Sequence, residues 1–541
     1  MSKTTVVMCS LIIVSVAMAI VPVSVRMRGL NPDLVGIVDD EYSDLFFNPA
    51  FINKIDGKRV YTNLSNIHNL GEDLFFNPNY YPDMYYNLLG GITNIKDHKL
   101  GALIQTGGAD WLQTEQGNYA DVYRDINGNM IKELDSMNYE YKSKFTDFAI
   151  NLFWGKKLND WQLGVWTGPQ FIDYEESEKY KEREYYYQND TLFEYDLEQS
   201  EWQSKAKTNA IPLMVGFIKG EVDDEWSAAL AYGYDRVNGI VPSDFVSSEM
   251  YRQIHQSLTD ISEDFAKWEN KYNESGYYLS LVGRHKSRCE DFSLSYLANL
   301  VYVHKPITMT YTDTSYEYQS FFASGYQEIE GDWSMHKAEG PMNHLSLGLG
   351  VGLEKYFDIE NSRHLFAIGF IPSFFVGNTK IKQKPYYGRY YYYHNLPDTL
   401  EYTVNYGDGE HYDIKNTLSG FQFTIPVGLE ANLTKRLVFR LGATENLMLK
   451  MTDVSEYTLA DSGWHWNYHY IHGGNDTCFI ESPDELDSYY YKTESKISMA
   501  NATAYYYGAG YKISDNIELN FLNFADLTNL RKWILGVNIK F

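Results

Sequence analysis

A period of two runs through this chain to its last residue, and no other feature limits so severely what it can fold into. From His344 to Lys355, Leu345, Leu347, Leu349, Val351 and Leu353 fall on one side, while Ser346, Gly348, Gly350, Gly352 and Glu354 fall on the other. The final nine residues repeat the pattern, with Trp533, Leu535, Val537, Ile539 and Phe541 on one face and Ile534, Gly536, Asn538 and Lys540 on the other. Side chains alternate along a strand, so each span builds one continuous apolar face and one face of small or polar groups. A soluble sandwich also alternates, but it does not normally keep such uniformly apolar faces over spans of about ten residues. Lipid offers no partner to backbone N–H and C=O, so a sheet that meets lipid must close on itself. The expected fold is all-β: a closed antiparallel transmembrane β-barrel of about 14–16 strands.

The connections point the same way. Short turns fall near Asp97, Asn159, Asp223, Ser287, Asp358, Thr434 and Ser514, and long segments fall at 67–83, 108–144, 174–207, 236–276, 305–343, 377–416 and 451–496. Strict alternation of short periplasmic turns with long outer loops places both termini in the periplasm. Phe421, Phe423, Ile425, Val427 and Leu429 face Leu437, Phe439 and Leu441 across the polar turn Asn432 to Lys435, which makes a hairpin. Asn127-Gly128 and Asp408-Gly409 are hairpin-turn signals within long loops, so some loops should rise above the wall as ribbons. Glu249 to Lys271 carries Ile254, Leu258, Ile261, Phe265 and Trp268 at helical spacing and reads as a short amphipathic helix.

Composition enters as a constraint on partners. The formal charge of -26 argues against nucleic acid and anionic membrane surfaces. Ten acidic residues against three basic ones between Tyr174 and Glu201 place much of that charge in the outer loops. Divalent cations could bridge such loops to lipopolysaccharide phosphates, but a solvated acidic surface is the better account. With 48 Tyr and 15 Pro in 541 residues, strands are favoured over helices or disorder. The tyrosine runs at 185–187, 390–393 and 489–491 are read as interfacial girdles and packed hairpins. Of three cysteines, Cys9 lies in a segment expected to be removed, and Cys289 and Cys478 fall on opposite sides of the membrane, so no disulfide is expected.

Lys3, the apolar run Val6 to Val21, and Ala17 with Ala19 as an A-x-A site make residues 1–19 a secretory signal peptide. Residues 20–57 then form a hatch segment, and 58–541 the barrel with its long loops. Just before the first strand stands Asp39-Asp40-Glu41-Tyr42-Ser43-Asp44-Leu45-Phe46-Phe47-Asn48-Pro49-Ala50. Pro49 holds Asn48 out of the helical region, and the Asn amide can satisfy local backbone groups, so Asn48, Pro49 and Ala50 form a fixed turn. Leu74 to Pro78 echoes Leu45 to Pro49 through shared turn chemistry.

This acidic stretch ending in Asn-Pro-Ala resembles the N-terminal hatch of FadL-type transporters of hydrophobic compounds and of related barrels such as PorV. The resemblance implies passive capture of a hydrophobic or amphipathic small molecule at the outer mouth. The solute would pass the hatch at Asn48 to Ala50 and leave through the wall or into the periplasm, with no cofactor. A PorV-like secretion or surface-attachment scaffold and a general diffusion porin are the alternatives. The tail Trp533, Leu535, Val537, Ile539 and Phe541 resembles the signal read by the barrel-assembly machinery of Gram-negative bacteria, which implies the outer membrane, its lipid and lipopolysaccharide as surroundings.

Other constellations are weaker. His465 and His469 share a strand face but stand about 13 Å apart by the rise per residue, too far to share a metal ion. Asp125-Ile126-Asn127-Gly128-Asn129 starts like a calcium loop but lacks its later ligands, and is read as a hairpin. No nucleophile elbow, phosphate loop or zinc-protease pattern occurs, and no enzyme is expected.

Overall fold

A computed structural model describes residues 23–65, 87–125, 127–189, 191–221, 223–253, 258–321, 326–359, 362–395, 398–408, 411–461, 466–472, 475–481, 490–497, 499–522 and 534–541. The described strands are β1 (Arg59–Ser65), β2 (Asn87–Ile95), β3 (His98–Arg124), β4 (Met130–Leu158), β5 (Trp161–Thr167), β6 (Gln170–Gln188) and β7 (Thr191–Glu221). They continue with β8 (Asp224–Gln253), β9 (Leu258–Cys289), β10 (Phe292–Phe321), β11 (Tyr326–Ile359), β12 (Ser362–Asn395), β13 (Asp398–Asp408) and β14 (His411–Asn432). The last are β15 (Leu437–Asp461), β16 (Trp466–His472), β17 (Asn475–Glu481), β18 (Tyr490–Ile497), β19 (Ala500–Ser514), β20 (Ile517–Leu522) and β21 (Ile534–Lys540).

These segments fill sixteen positions of one closed antiparallel barrel. Closure is made by β1, which pairs with β2 from Arg59↔Ile92 and with β21 from Arg59↔Lys540. Several positions are shared by consecutive segments running the same way. β5 and β6 both pair with β4 and β7, separated by Gly168 and Pro169. β13 and β14 both lie antiparallel to β12, so the chain runs the same way on either side of 409–410, where a hairpin would have reversed it. β16 continues β15 upward beside β13, and β17, β18 and β19 descend in line along β16 and β15.

The long connections differ from the sequence expectation in two respects. Most of their length is strand: β11 and β12 are each 34 residues long, about 110 Å of extended chain and far more than a membrane needs. Tyr, Thr and charged residues keep alternating after the apolar face ends, so the ladder outlives the lipid-facing pattern that marks a span in sequence. The expected helix at Glu249 to Lys271 is instead strand on both sides of 254–257, with Met250 paired to Ile261 and Val246 to Phe265. Its helical spacing of apolar residues is overridden by the long-range antiparallel ladder between β8 and β9. Asn127-Gly128 does turn a hairpin, with Arg124 opposite Met130.

The outward face carries an apolar belt, in which Leu349 is 53% exposed and Leu230 is 50% exposed. Aromatic rings border it. Trp226 stacks on His285 at 4.0 Å towards the short-turn end, and Tyr232 stacks on Tyr277 at 6.3 Å towards the other. From Trp226 to Tyr234 the strand rises about 26 Å, the height of a barrel's lipid-facing band.

Candidate functional site: a plugged lumen

Residues 23–57 cross the lumen near the short-turn end and touch wall strands around the whole circumference. Helix α1 (Val25–Leu30) is capped by Ser24, whose hydroxyl accepts from Met27 N, and a 3-10 turn follows at Pro32–Leu34. Helix α2 (Glu41–Phe47) is capped by Asp40, which accepts from Ser43 N at 2.9 Å, and a second 3-10 turn spans Pro49–Lys54. Met27, Leu30, Leu34, Ile37 and Val38 pack with Leu365 and Ala367 of the wall, and Tyr42, Leu45, Phe46 and Ile52 pack with Leu103 and Phe153.

Each 3-10 turn opens with an Asn-Pro pair, and each Asn binds the wall. Asn48 Oδ1 accepts from Ala50 N at 3.0 Å, while its Nδ2 donates to Phe217 O at 3.2 Å and Ala228 O at 3.1 Å. Asn31 does the same: Oδ1 accepts from Asp33 N at 2.9 Å, and Nδ2 donates to Val427 O at 3.2 Å and Ala443 O at 2.9 Å. Wall carbonyls engaged in the ladder keep a second lone pair, so these bonds cost the barrel nothing. Glycines make the room, since a Cβ at Gly216 would overlap Asn48 Oδ1 and one at Gly442 would overlap Leu30 O. The sequence reading singled out Asn48, Pro49 and Ala50 but missed Asn31. The signal was present as a second Asn-Pro pair at Asn31-Pro32.

Charges complete the seat. Lys286 of β9 is 2% exposed and donates to Ile37 O at 2.9 Å, to Asp39 at 2.9 Å and to Glu354 at 2.7 Å. Arg284 binds Glu225 at 2.6 Å and Asp39 at 3.4 Å, and its guanidinium lies 4.5 Å from the Phe51 ring centre. Arg288 also pairs with Asp39, and Lys54 pairs with Glu225. Across the lumen, Arg26 binds Glu430 at 3.0 Å, and Glu430 also accepts from Arg440 at 2.8 Å. Burial raises the Asp39 pKa, but Lys286, Arg284 and Arg288 outweigh it and hold the carboxyl well below the usual carboxylate range.

Asp44 is the opposite case. It is 5% exposed and its Oδ1 has no hydrogen-bond partner. Burial pushes its carboxyl up to about 7, with Arg284 working against the rise and Asp39 and Asp40 adding to it. Between about 3.8, its ordinary value, and about 7 the seated plug therefore holds a proton that the unfolded segment does not. Seating should weaken as pH climbs through that window. Asp44→Asn is expected to abolish this dependence and to strengthen seating at pH 8 by roughly 2–4 kcal/mol. Amide hydrogen exchange of residues 23–57 at pH 5 and pH 8 reads the effect, and equal protection of the unaltered plug at both pH values would refute it.

The plug separates two cavities. On its loop side lies a chamber of about 780 Å³, floored by Asp33, Phe46 and Phe47 and walled by Trp166, Met214, Tyr278, Leu297, Val301 and Phe375. Several of its polar groups are bound to one another. Trp166 Nε1 donates to Asn151 Oδ1 at 3.0 Å, Asn151 to Gln105 Oε1 at 2.9 Å, and Gln105 to Tyr42 OH at 2.8 Å, which leaves the rings to face the space. On the short-turn side a cavity of about 730 Å³ is lined by charge, including Arg26, Arg59, Glu430, Arg440 and Glu518. Beside the chamber the β11–β12 ladder passes from Gly348↔Ser373 to Val351↔Phe370, skipping Leu349 and Gly350 opposite Ile371 and Pro372. Pro372 has no N–H to donate there.

Other expected residues are dispersed. Leu535, Val537 and Ile539 lie in β21, whose other face packs Ile534 and Gly536 against Val25, and Phe541 N donates to Lys58 O at 3.1 Å. Trp533, His465, the echo at Leu74 to Pro78 and residues 1–22 lie outside the described residues. His469 is in β16, and Cys289 is exposed and free.

No protein-family model and no curated protein matches the sequence. Among solved structures the chain is similar to a TodX deltaS2S3 mutant monoaromatic hydrocarbon channel, at 9% identity and TM-score 0.29, covering 96% of this chain and 99% of that one. The toluene transporter TodX of P. putida gives 9% identity, TM-score 0.18 and coverages of 91% and 92%. A mutant ferric enterobactin receptor PfeA of Pseudomonas aeruginosa gives 8%, 0.22, and coverages of 90% and 80%. At such TM-scores these likenesses carry no functional argument, and the chain's own geometry must supply it.

Proposed function

We propose that this protein is an outer-membrane barrel that passes hydrophobic or amphipathic small molecules by diffusion. The observation that carries the reading is the chamber held above the plug with aromatic and aliphatic walls, where Trp166, Asn151 and Gln105 spend their polar atoms on one another. A general diffusion porin would need an open aqueous lumen, and the plug crosses this one. Exit through the wall is supported by the interrupted ladder at Leu349 and Gly350, next to the chamber. A second reading, a surface scaffold of the PorV kind, is supported by strands that rise far above the apolar belt.

The test is uptake by cells with and without the protein. Naphthalene accumulation should rise several-fold, while uptake of a disaccharide should not change. Equal rises for both would indicate a porin. No change in either, with the barrel present in the membrane, would remove the transport reading and favour the scaffold.

A further inference from the structure

The loop-side chamber has a charge asymmetry that its apolar walls conceal. Among the described residues that line it, Asp33 and Asp235 are the formally charged ones, and no lysine or arginine joins them. Asp33 is already engaged, accepting from Thr444 Oγ1 at 2.7 Å. Asp235 is 4% exposed, and only one of its oxygens is used: Oδ2 pairs with Lys305, and Oδ1 has no hydrogen-bond partner. Glu274, also 4% exposed, lies within electrostatic reach of both. One ammonium, paired with Asp235, thus stands near two buried carboxyl groups, and with both ionised the group carries a formal charge of minus one at the chamber wall.

We propose that Asp235 receives the cationic head of an amphipathic amine, a protonated primary ammonium carried on an apolar or aromatic body. The inference rests on the reading of the lumen as a passage and specifies its solute class. A buried carboxylate oxygen without a donor is costly, and an ammonium brings three donors and the opposite charge. Tyr278 packs over Gly233, where a Cβ would overlap its ring, and lines the chamber together with Ala231, Met214 and Val301. These groups would take the apolar body and present a ring face to the cation. A carboxylate solute finds no cation in this lining and meets two acids instead.

The approach to the chamber has the same sign. Ala149 of β4 and Gln170 of β6 line the chamber, and the two strands pair without a register slip from Ala149↔Gln170 to Ile131↔Gln188. By alternation, the face continuous with the lumen carries Glu133, Asp135, Glu176, Glu182, Glu184 and, on β7, Glu198. The cations of this region fall on the opposite face, where Lys179 pairs with Glu201 and Lys205 with Glu175. Such a segregated acidic wall raises the local concentration of cations at the mouth.

Three solutes of one size and different charge test the proposal: benzylammonium, benzyl alcohol and benzoate, titrated calorimetrically into the full-length protein in detergent at pH 7. Benzylammonium should bind at least about tenfold more tightly than benzoate, the gain of one charge-assisted hydrogen bond. Asp235→Asn should remove that preference and leave benzyl alcohol unchanged. Should Asp235→Asn fail to assemble, Lys305→Gln moves the other way, freeing Asp235 and strengthening benzylammonium binding. Equal binding of benzylammonium and benzoate, or an Asp235→Asn protein that keeps the preference, overturns the proposal and leaves the Asp235–Lys305 pair a structural one. Uptake of the same solutes by cells separates the two readings: preferential binding without uptake removes the passage and keeps the site, whereas uptake without charge preference removes the site and keeps the passage.

Discussion

Replacing Gly442 by valine is expected to unseat the plug and admit small hydrophilic solutes while the barrel still assembles. A Cβ at this position would overlap Leu30 O, and would stand 2.8 Å from Leu30 C and 3.0 Å from Asn31 Cβ. These are atoms of the α1 backbone and of the Asn31 pin, so no side-chain rotation relieves the clash. The plug must move away, at about 3 kcal/mol or more once the hydrogen bonds of Asn31 to Val427 O and Ala443 O are counted. Wall pairing does not depend on the plug, because Gly442 is paired to Gly428 and Tyr506 through backbone groups alone. Gly348→Ala is the control: it too faces the lumen, but its added Cβ would meet nothing nearer than 4.0 Å. Liposome swelling in a disaccharide should accelerate for Gly442→Val and not for Gly348→Ala. Heat-dependent gel mobility checks that both barrels are intact. Swelling at the unaltered rate with Gly442→Val would mean that residues 23–57 do not seal the lumen.

How far sequence reached can be judged from single elements. The spans around Leu345 to Leu353 and Phe421 to Leu429 were legible because lipid imposes an apolar residue at every second position, and the structure pairs them as β11 and β14 of the wall. Above the membrane that constraint lapses. There Tyr and charged residues keep the strand without keeping the apolar signal, so 174–207 reads as a loop although Glu178 stands opposite Trp202 in the β6–β7 ladder. Asp408-Gly409 has the composition of a turn, but direction is set by which edge of β12 is free, a long-range fact no dipeptide carries.

The plug was legible in part for a similar reason. Asn48-Pro49 announces a fixed turn through local chemistry, and Asn31-Pro32 announces another that was passed over. Their targets, the carbonyls of Phe217, Ala228, Val427 and Ala443, leave no mark in sequence because any residue has a carbonyl. Asp39 was visible, but its partners Arg284, Lys286 and Arg288 lie about 245 residues away and become neighbours only when the barrel closes, whereas Asp40 and Glu41 pair with the nearby Arg26 and Arg59.

Those partners give the last expected result. Lys286→Met should destabilise the seated plug by about 3–5 kcal/mol, the cost of stripping the buried Glu354 carboxylate of its cation. Lys286 is 2% exposed and Glu354 1% exposed, so neither can turn to water, and Glu354 would keep only the Tyr356 hydroxyl at 2.7 Å. The Ile37 carbonyl would lose its donor as well. If the damage comes from the orphaned charge, removing that charge should repair most of it: Lys286→Met with Glu354→Leu fills the space with apolar groups, and Asp39 still has Arg284 and Arg288. Hydrogen-exchange protection of residues 35–47 should therefore collapse in the single variant and recover in the double. A double variant as exposed as the single would mean that Lys286 holds the plug through its bonds to Ile37 O and Asp39, and that Glu354 is a bystander in the wall.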